Sequence, residues 1–301
     1  MRINPNYTND MLNEIWQDQE QETTAIQQLS TGLRVNEPSD DPTAAAADVL
    51  NVAEQGQTDQ FIQNTTAVQG QLETADSTLS SVVEALNQAI SLGTEAANGT
   101  VSSSNQQQIA QQIEGIREQI VQLANTSYEG TYLFGGTNST TPPYTIDATE
   151  PDGVTYNGNS GTNTVEISAG QSIQTNLPGS ELFQNSAGDV MGALQQMITA
   201  LQSGDSASIG SATTELSTAY GQLNEQRVFY GNAVTQLTSN ESYLDQEQVS
   251  LKSQQDTLVG VNEATAATNL SSAETTYDAA VAASSEILGQ STLLDYLDGK
   301  A

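Results

Sequence analysis

The sequence predicts a mainly α-helical protein: a long helical bundle or coiled coil built from both ends of the chain, with a small β-rich domain inserted centrally. Apolar residues recur at helical spacing in three long runs, which indicates helices with a narrow buried stripe. Residues 131–183 are instead rich in Gly, Thr, Asn and Pro and contain short alternating runs bounded by turn residues. Together these patterns favour a slender bundle over a globular core.

The first predicted helix covers roughly residues 6–31 and is followed by a stiff connector. Gly32 can adopt the left-handed conformation that ends a helix. Asp41 can accept N–H bonds at a helix start, Pro42 fits the first helical turn, and Pro38 stiffens the residues before them. We therefore predict a terminal helix at 1–32, an extended spoke at 33–41 and bundle helices over 42–130.

The bundle is expected to continue after the β-rich insert at 131–183, over residues 184–258. Its strongest signal is an apolar residue at every seventh position, which is typical of a coiled-coil-like helix. These residues are Leu216, Leu223, Tyr230, Leu237, Leu244, Leu251 and Leu258. The last segment, 259–301, carries Leu270 and Tyr277 on a helical stripe, but it is rich in alanine and is marginal as an isolated helix. Its natural partner is the other terminal helix, or a copy of itself.

The composition is strongly acidic, with 37 Asp and Glu residues against six Lys and Arg and a formal net charge of -31. Such a chain repels nucleic acid and anionic membrane surfaces, so we expect neither as a partner. The chain has no Cys and no His, which removes disulfides, thiolate nucleophiles, imidazole catalysis and the usual zinc ligands. We therefore expect no enzymatic activity, no cofactor and no bound metal.

No apolar run approaches the roughly 20 residues that a membrane-spanning helix needs. The first residues, "MRINPNYTND", do not resemble an ordinary signal peptide. If the protein leaves the cell, we expect it to be exported without a cleaved signal peptide.

The charged residues of the connector have two possible roles each. Arg34 can pair with a carboxylate either within the chain or on another subunit, and the sequence leaves both open. Asp40 and Asp41 could bind a hard cation, but capping and interaction with the helix dipole explain them better. A hydrolase with paired carboxylates is disfavoured because a long, thin bundle rarely encloses a cleft.

Four stretches resemble a known family. "LSTGLRVNEPSDDPTAAA" resembles the amino-terminal signature of the flagellin superfamily. Three more stretches resemble the members of that superfamily that join the flagellar hook to the filament: "GTYLFGGTNSTTPPY", "YNGNSGTNTVEISAGQSIQTNLPGSELF" and "STLLDYL". Together the four stretches cover both ends and the centre of the chain.

The resemblance implies a structural adaptor of the bacterial flagellum, located outside the cell at the hook–filament junction. It also implies an inner ring of terminal helices from identical subunits, hook-associated protein 1 and flagellin as neighbours, and type III export assisted by a flagellar chaperone. The residues expected at subunit interfaces are Leu29, Leu33, Arg34, Asp40, Asp41, Leu270, Tyr277, Leu293, Leu294 and Leu297. The last three leucines fall on one helical face.

Two alternatives stay open. A close one is flagellin itself, the repeating filament subunit, which shares the terminal signature. A distant one is a secreted coiled-coil adhesin or carbohydrate-acting enzyme, which the missing His and Cys and the terminal signatures disfavour.

Overall fold

The computed structural model describes residues 7–98 and 100–289, and most of these residues are helical. The helices are α1 (Tyr7–Thr31), α2 (Pro42–Ala96), α3 (Ser103–Ala124), α4 (Gly179–Leu182), α5 (Val190–Ser203), α6 (Ser206–Val259) and α7 (Glu263–Gly289). The predicted fold class, mainly α with a small β insert, is confirmed. Within the described ranges, none of the helices combines the length and apolarity that crossing a membrane requires.

The strands form four separate antiparallel hairpins and do not join into one sheet. They are β1 (Ser127–Tyr128), β2 (Thr131–Tyr132), β3 (Tyr144–Ile146), β4 (Val154–Tyr156), β5 (Thr164–Ser168), β6 (Gln171–Gln174), β7 (Gln184–Asn185) and β8 (Gly188–Asp189). Strands β1, β7 and β8 lie outside residues 131–183, the segment for which the sequence predicted β structure. Strands of two to five residues, interrupted by Gly, Pro and Asn, are too short to build a wider sheet.

The chain divides into two compact units, and the boundary between them falls inside α2 and α6. The terminal unit comprises Met1–Gln57 and Glu247–Ala301, and the central unit comprises Thr58–Gln246.

The central unit contains the main hydrophobic core. On α2, Leu72, Leu79 and Leu86 are completely buried at seven-residue intervals. The segment between α3 and α5 adds aromatic rings, among which Phe183 packs edge-on against Phe134 and Tyr144 with centroid separations of 5.6 and 5.7 Å. Five of the seven predicted apolar residues of α6 belong to this unit and are buried: Leu216, Leu223, Tyr230, Leu237 and Leu244. This unit therefore buries most of its large apolar residues by itself.

Candidate assembly interface

Two connectors of the terminal unit lie side by side, one after α1 and one before α7. Helix α1 ends at Thr31 and is followed by Gly32, whose φ of +72° is the left-handed conformation that favours glycine. The next residue, Leu33, pairs with Gly260 in an antiparallel bridge, and the N–H of Arg34 donates to the carbonyl oxygen of Val259 at 2.6 Å. The first connector, predicted as an extended spoke, is therefore one side of a paired structure.

The sequence analysis missed the second connector. A Cβ atom at Gly260 would overlap the carbonyl oxygen of Asp256, so the chain needs glycine where it leaves α6. Two residues later the side chain of Asn262 accepts a hydrogen bond from the N–H of Thr265 at 3.1 Å, at the start of α7. A glycine followed by a capping asparagine was a readable helix-break signal. Neither residue, however, predicts which other segment the connector pairs with.

Arg34 makes its contacts within the chain. Its Nη2 donates to Asp41 Oδ2 at 3.2 Å and to the carbonyl oxygen of Leu258 at 2.9 Å. Leu258 lies in the last turn of α6, where the carbonyl groups carry the negative end of the helix dipole. Arg34 thus links the start of α2 to the end of α6. About half of its side chain is still exposed, and an additional contact with another subunit stays a prediction.

The two neighbouring aspartates have different roles: Asp40 holds the turn of the connector before it, and Asp41 caps α2. Asp40 Oδ2 accepts the N–H groups of Glu37 at 3.0 Å and Asn36 at 2.9 Å, and these bonds lower the pKa of its carboxyl group. Asp41 Oδ1 accepts the N–H of Ala44 at 3.1 Å, which lowers the pKa of Asp41 in the same way and caps α2. In the part of the chain that the structure describes, no group of three or more acidic side chains is placed to hold a metal ion.

The apolar core beside these connectors is small. Val35, Ala44 and Val259 are buried, and they are joined by the partly buried Leu33, Ala45 and Leu258. Since two of these six side chains are alanines, the connector region gains little from burial and depends on the hydrogen bonds just described.

Helices α1 and α7 pack against each other along stripes of small residues. Their buried residues are Ala25 on α1 and Ala266, Ala273 and Ser284 on α7. The predicted interface residues Leu29, Leu270 and Tyr277 lie at helical spacing from these and are only half-buried. Because alanine and serine bury little apolar area, this helix pair is weakly held by its own packing.

Helix α1 has a second apolar face, which the sequence analysis did not identify. Leu12, Trp16 and Ile26 are exposed, and Trp16, the only tryptophan of the chain, is 72% exposed. The three are separated by four and ten residues, close to one and three helical turns, so they share one face. That spacing was the signal that could have identified them. The arrangement leaves an apolar stripe without a partner inside the described chain.

The groove between α1 and α7 is polar. It has a volume of about 640 Å³ and is lined by amide and hydroxyl side chains, among them Gln17, Gln21, Asn269 and Thr276. Such a lining offers hydrogen bonds to another polypeptide and contains no histidine or cysteine for catalysis. The remaining predicted interface residues, Leu293, Leu294 and Leu297, lie outside the described residues.

Sequence comparison identifies relatives of the chain. The bacterial flagellin N-terminal helical region matches residues 3–139. Flagellar hook-associated protein 3 of Escherichia coli K12 is 31% identical over 160 residues, which are 53% of this chain and 49% of that protein. The protein of the same name from Salmonella typhimurium LT2 is 32% identical over 162 residues, with the same coverage. The chain thus spans about half the length of the curated relatives it matches.

Structural comparison identifies similar folds. A putative flagellar hook-associated protein from Vibrio parahaemolyticus superposes with a TM-score of 0.67 at 17% identity, covering 73% of this chain and 99% of that one. Hook-associated protein 3 from Legionella pneumophila gives 0.63 at 14% identity, covering 69% and 98%. Xanthomonas campestris FlgL gives 0.61 at 17% identity, covering 68% and 98%. At these identities the likeness concerns the fold.

The matched region includes α1, the connector with Gly32 and Arg34, and α2. These elements contain the first of the four stretches that carry the resemblance, "LSTGLRVNEPSDDPTAAA". The resemblance is confirmed: over about half of its length the chain is similar in sequence to flagellar hook-associated protein 3, and its residues 3–139 match the flagellin N-terminal helical region.

Proposed function

We propose that this chain is a structural component of the bacterial flagellum, an adaptor at the hook–filament junction that joins hook-associated protein 1 to flagellin. The observation that carries the proposal is the apolar face of α1, formed by Leu12, Trp16 and Ile26, which the described chain leaves exposed. This face lies in the region that matches the flagellin N-terminal helical region. Such a face is suited to contact with another helix in an assembly.

The weak packing of α1 against α7 supports the same proposal. A helix pair that buries mainly alanine and serine gains stability when further helices cover its outer faces. A ring of identical copies would supply such helices. We therefore include self-association among the proposed contacts, together with an export chaperone that shields these faces before assembly. The proposed location is the flagellum outside the cell, and the proposed role is structural and not enzymatic.

A second candidate is flagellin itself, and the match of residues 3–139 to the flagellin N-terminal helical region favours it. The two candidates differ in how they assemble. A filament subunit repeats one heterologous contact without limit, whereas an adaptor forms one layer and stops. We expect the purified protein to form no long filaments in precipitating salt, a condition that favours burial. Long homopolymers in negative-stain images would instead assign the chain to the filament.

Deletion of the gene tests the adaptor role directly. Electron microscopy of the deletion strain should show hooks without filaments, and the medium should contain secreted flagellin. Expression of the chain from a plasmid should restore filaments. Normal filaments in the deletion strain would contradict the proposal, as would the loss of hooks.

A further inference from the structure

Helices α1 and α7 pair like the two helices of an antiparallel coiled coil. Helix α1 leads into Leu33 and α7 follows Gly260, and these two residues form an antiparallel bridge. Along both helices, buried and half-buried residues recur at alternating intervals of three and four residues, the spacing of heptad positions a and d. On α1 they are Met11, Ile15, Asp18, Glu22, Ala25 and Leu29, and on α7 Ala266, Leu270, Ala273, Tyr277, Ala280 and Ser284. These positions define the two sides of the pair.

The polar groove described above lies on one side of this pair. Its residues Gln21 and Thr276 both occupy heptad position g, so the g positions of the two helices meet on the groove side. The e positions therefore meet on the opposite side. Leu12 and Ile26 occupy position e, and Trp16 occupies the adjacent position b. The apolar face of α1 thus lies on the side of the pair that faces away from the groove.

Helix α7 adds one apolar and two acidic side chains to that side. Val281, which is 41% exposed, and Glu274 occupy position e, and Asp278 occupies position b. Equal numbers of residues separate Leu12 and Val281 from the paired connector residues, so the two lie at the same level to within about one helical turn. We call the apolar face of α1 together with Val281 the apolar flank. It lies on one side of a single helix pair.

The charged residues of α1 and α7 are all acidic. Glu22 precedes Ile26 by four residues, which places it at the edge of the apolar flank, and Glu274 and Asp278 lie on the α7 side. Helix α1 contains five Asp and Glu residues and α7 contains four, and neither contains Lys or Arg. Among the residues that the structure describes, no Lys or Arg nitrogen lies within 4.0 Å of these three carboxylates. The flank is therefore an apolar strip with acidic edges.

We propose that the apolar flank binds a helix of another protein whose apolar stripe is bordered by Lys or Arg. The stripe of such a helix covers the apolar side chains, and its cations pair with the three carboxylates. A second copy of this chain does not fit, because its α1 or α7 would add carboxylates to a surface that has no cation. This proposal rests on the proposed function, since it states the chemistry of the helix that covers this face in the assembly. It leaves the polar groove for contacts between copies.

Binding of synthetic peptides to the purified full chain tests this chemistry. Two helical peptides without tryptophan share the same leucine stripe, and one has Lys and the other Glu beside it. Trp16 is the only tryptophan of the chain, so its emission reports contact with the flank. The Lys peptide should shift this emission to shorter wavelength in a saturable way and bind at least about tenfold more tightly than the Glu peptide. Equal affinities, or no shift with the Lys peptide, would overturn the proposal.

Paired substitutions separate the flank from the overall charge of the chain. Glu274→Gln combined with Asp278→Asn removes two exposed carboxylates from the flank side. The matched control, Glu14→Gln with Glu286→Gln, removes two exposed carboxylates from positions g and c, on the groove side of the same helices. The first pair should weaken binding of the Lys peptide about three- to tenfold, and the control pair should weaken it less than about twofold. Equal effects of the two pairs would show attraction to net charge alone and would overturn the proposal.

Photo-cross-linking in isolated flagella identifies the natural occupant. The chain, expressed in the deletion strain, carries p-benzoylphenylalanine in place of Trp16 or, as a control, in place of Gln21 on the groove side. Position 16 should give an adduct with a different protein that position 21 does not give. Mass spectrometry should place the cross-linked residue in a helix with Lys or Arg beside its apolar stripe.

Three results of the cross-linking would overturn the proposal. They are an adduct of about twice the 31.8 kDa of the chain, an adduct with a segment that lacks such cations, and no adduct from position 16. An immunoblot that detects the chain in the flagella separates these failures from a failure of the proposed function, in which the chain is absent from them. The peptide titration needs no flagella and tests the flank in either case.

Discussion

The terminal and central units bury their apolar residues in opposite ways. The central unit has a continuous core of leucine, isoleucine and aromatic side chains, whereas the cluster at the connectors of the terminal unit consists of a few small residues. Among the residues whose burial the structure describes, eleven large apolar residues are exposed, and eight of these lie in the terminal unit. The central unit therefore has what it needs to fold by itself. The terminal unit has apolar surfaces that none of the described residues covers.

Helix α2, which belongs to both units, shows the same difference along its length. At seven-residue intervals α2 buries Asn51, Thr58, Thr65, Leu72, Leu79 and Leu86. The same heptad position thus holds polar residues near the connector and leucines farther along the helix. Buried polar groups cost free energy unless they are hydrogen-bonded, while buried leucines contribute directly to stability. One heptad pattern therefore yields a seam held by hydrogen bonds at one end and an apolar core at the other.

Hydrogen exchange should show the largest contrast between the units. We expect amides of α1 and α7 in the free chain to exchange orders of magnitude faster than those of α3 and α5, because local opening exposes little apolar area. Exchange of the purified monomer, followed by mass spectrometry of peptides, measures this. Protection around Leu270 and Tyr277 that equals the protection around Ile113 would contradict the comparison.

A matched pair of leucines on α2 should differ strongly in their contribution to stability. Leu79 is completely buried in the central unit, whereas Leu50 is exposed in the terminal unit. Leu79→Ala should lower the free energy of unfolding by about 2–5 kcal/mol. Leu50→Ala should change it by less than about 0.5 kcal/mol. Urea denaturation of the monomers gives both values, and equal losses would mean that the terminal unit is packed as tightly as the central one.

A pair of arginines, one in each unit, should separate stability from assembly. Arg34 pairs with Asp41, and Arg227 makes two hydrogen bonds to Asp76 at 3.0 and 3.2 Å. Both pairs are partly exposed and screened by solvent, so charge reversal to Glu at either position should lower the stability of the monomer only slightly. Only Arg34→Glu should also reduce incorporation into flagella, measured by immunoblot. Equal incorporation of both variants would mean that Arg34 acts only within its own chain and not in assembly.

Protonation of two carboxylates, Asp40 and Asp189, should change the stability of the fold in opposite directions. Hydrogen bonds from Glu37 and Asn36 lower the pKa of Asp40 below 3.8, so its stabilising contribution is present above that value and is lost as pH falls through the lowered pKa. Burial, and then the charge of Asp152, raise the pKa of Asp189, so the charged form costs stability and lowering the pH relieves this cost.

The effects are small and are best seen as differences in melting temperature between each variant and the unaltered chain. Below pH 4, acid should lower the melting temperature of the Asp40→Asn variant less than that of the unaltered chain. Acid should raise the melting temperature of the Asp189→Asn variant less than that of the unaltered chain. Identical pH profiles for the two variants would contradict these signs.

Local signals in the sequence predicted part of this architecture. Gly32, Asp41 and Pro42 identified where one helix ends and the next begins, because their preferences depend only on neighbouring backbone. The seven-residue repeat of α6 identified buried residues because helical spacing places them on one face of the helix. Pairing between distant segments was not predictable, since nothing local tells Leu33 to pair with Gly260 or Asn51 with Gln254. The exposed face around Trp16 was overlooked because an apolar stripe looks the same whether its partner lies in the chain or in another subunit.

Trp16 tests the central claim, that the terminal unit completes its burial only on assembly, most directly. It is the only tryptophan of the chain and is 72% exposed, so the fluorescence of the whole protein reports on this one face. In the purified monomer we expect emission typical of a hydrated indole and strong quenching by acrylamide. After incorporation into hook tips, the emission should shift to shorter wavelength and quenching should fall. Emission that is already shifted in the monomer, or that does not change on incorporation, would contradict the claim.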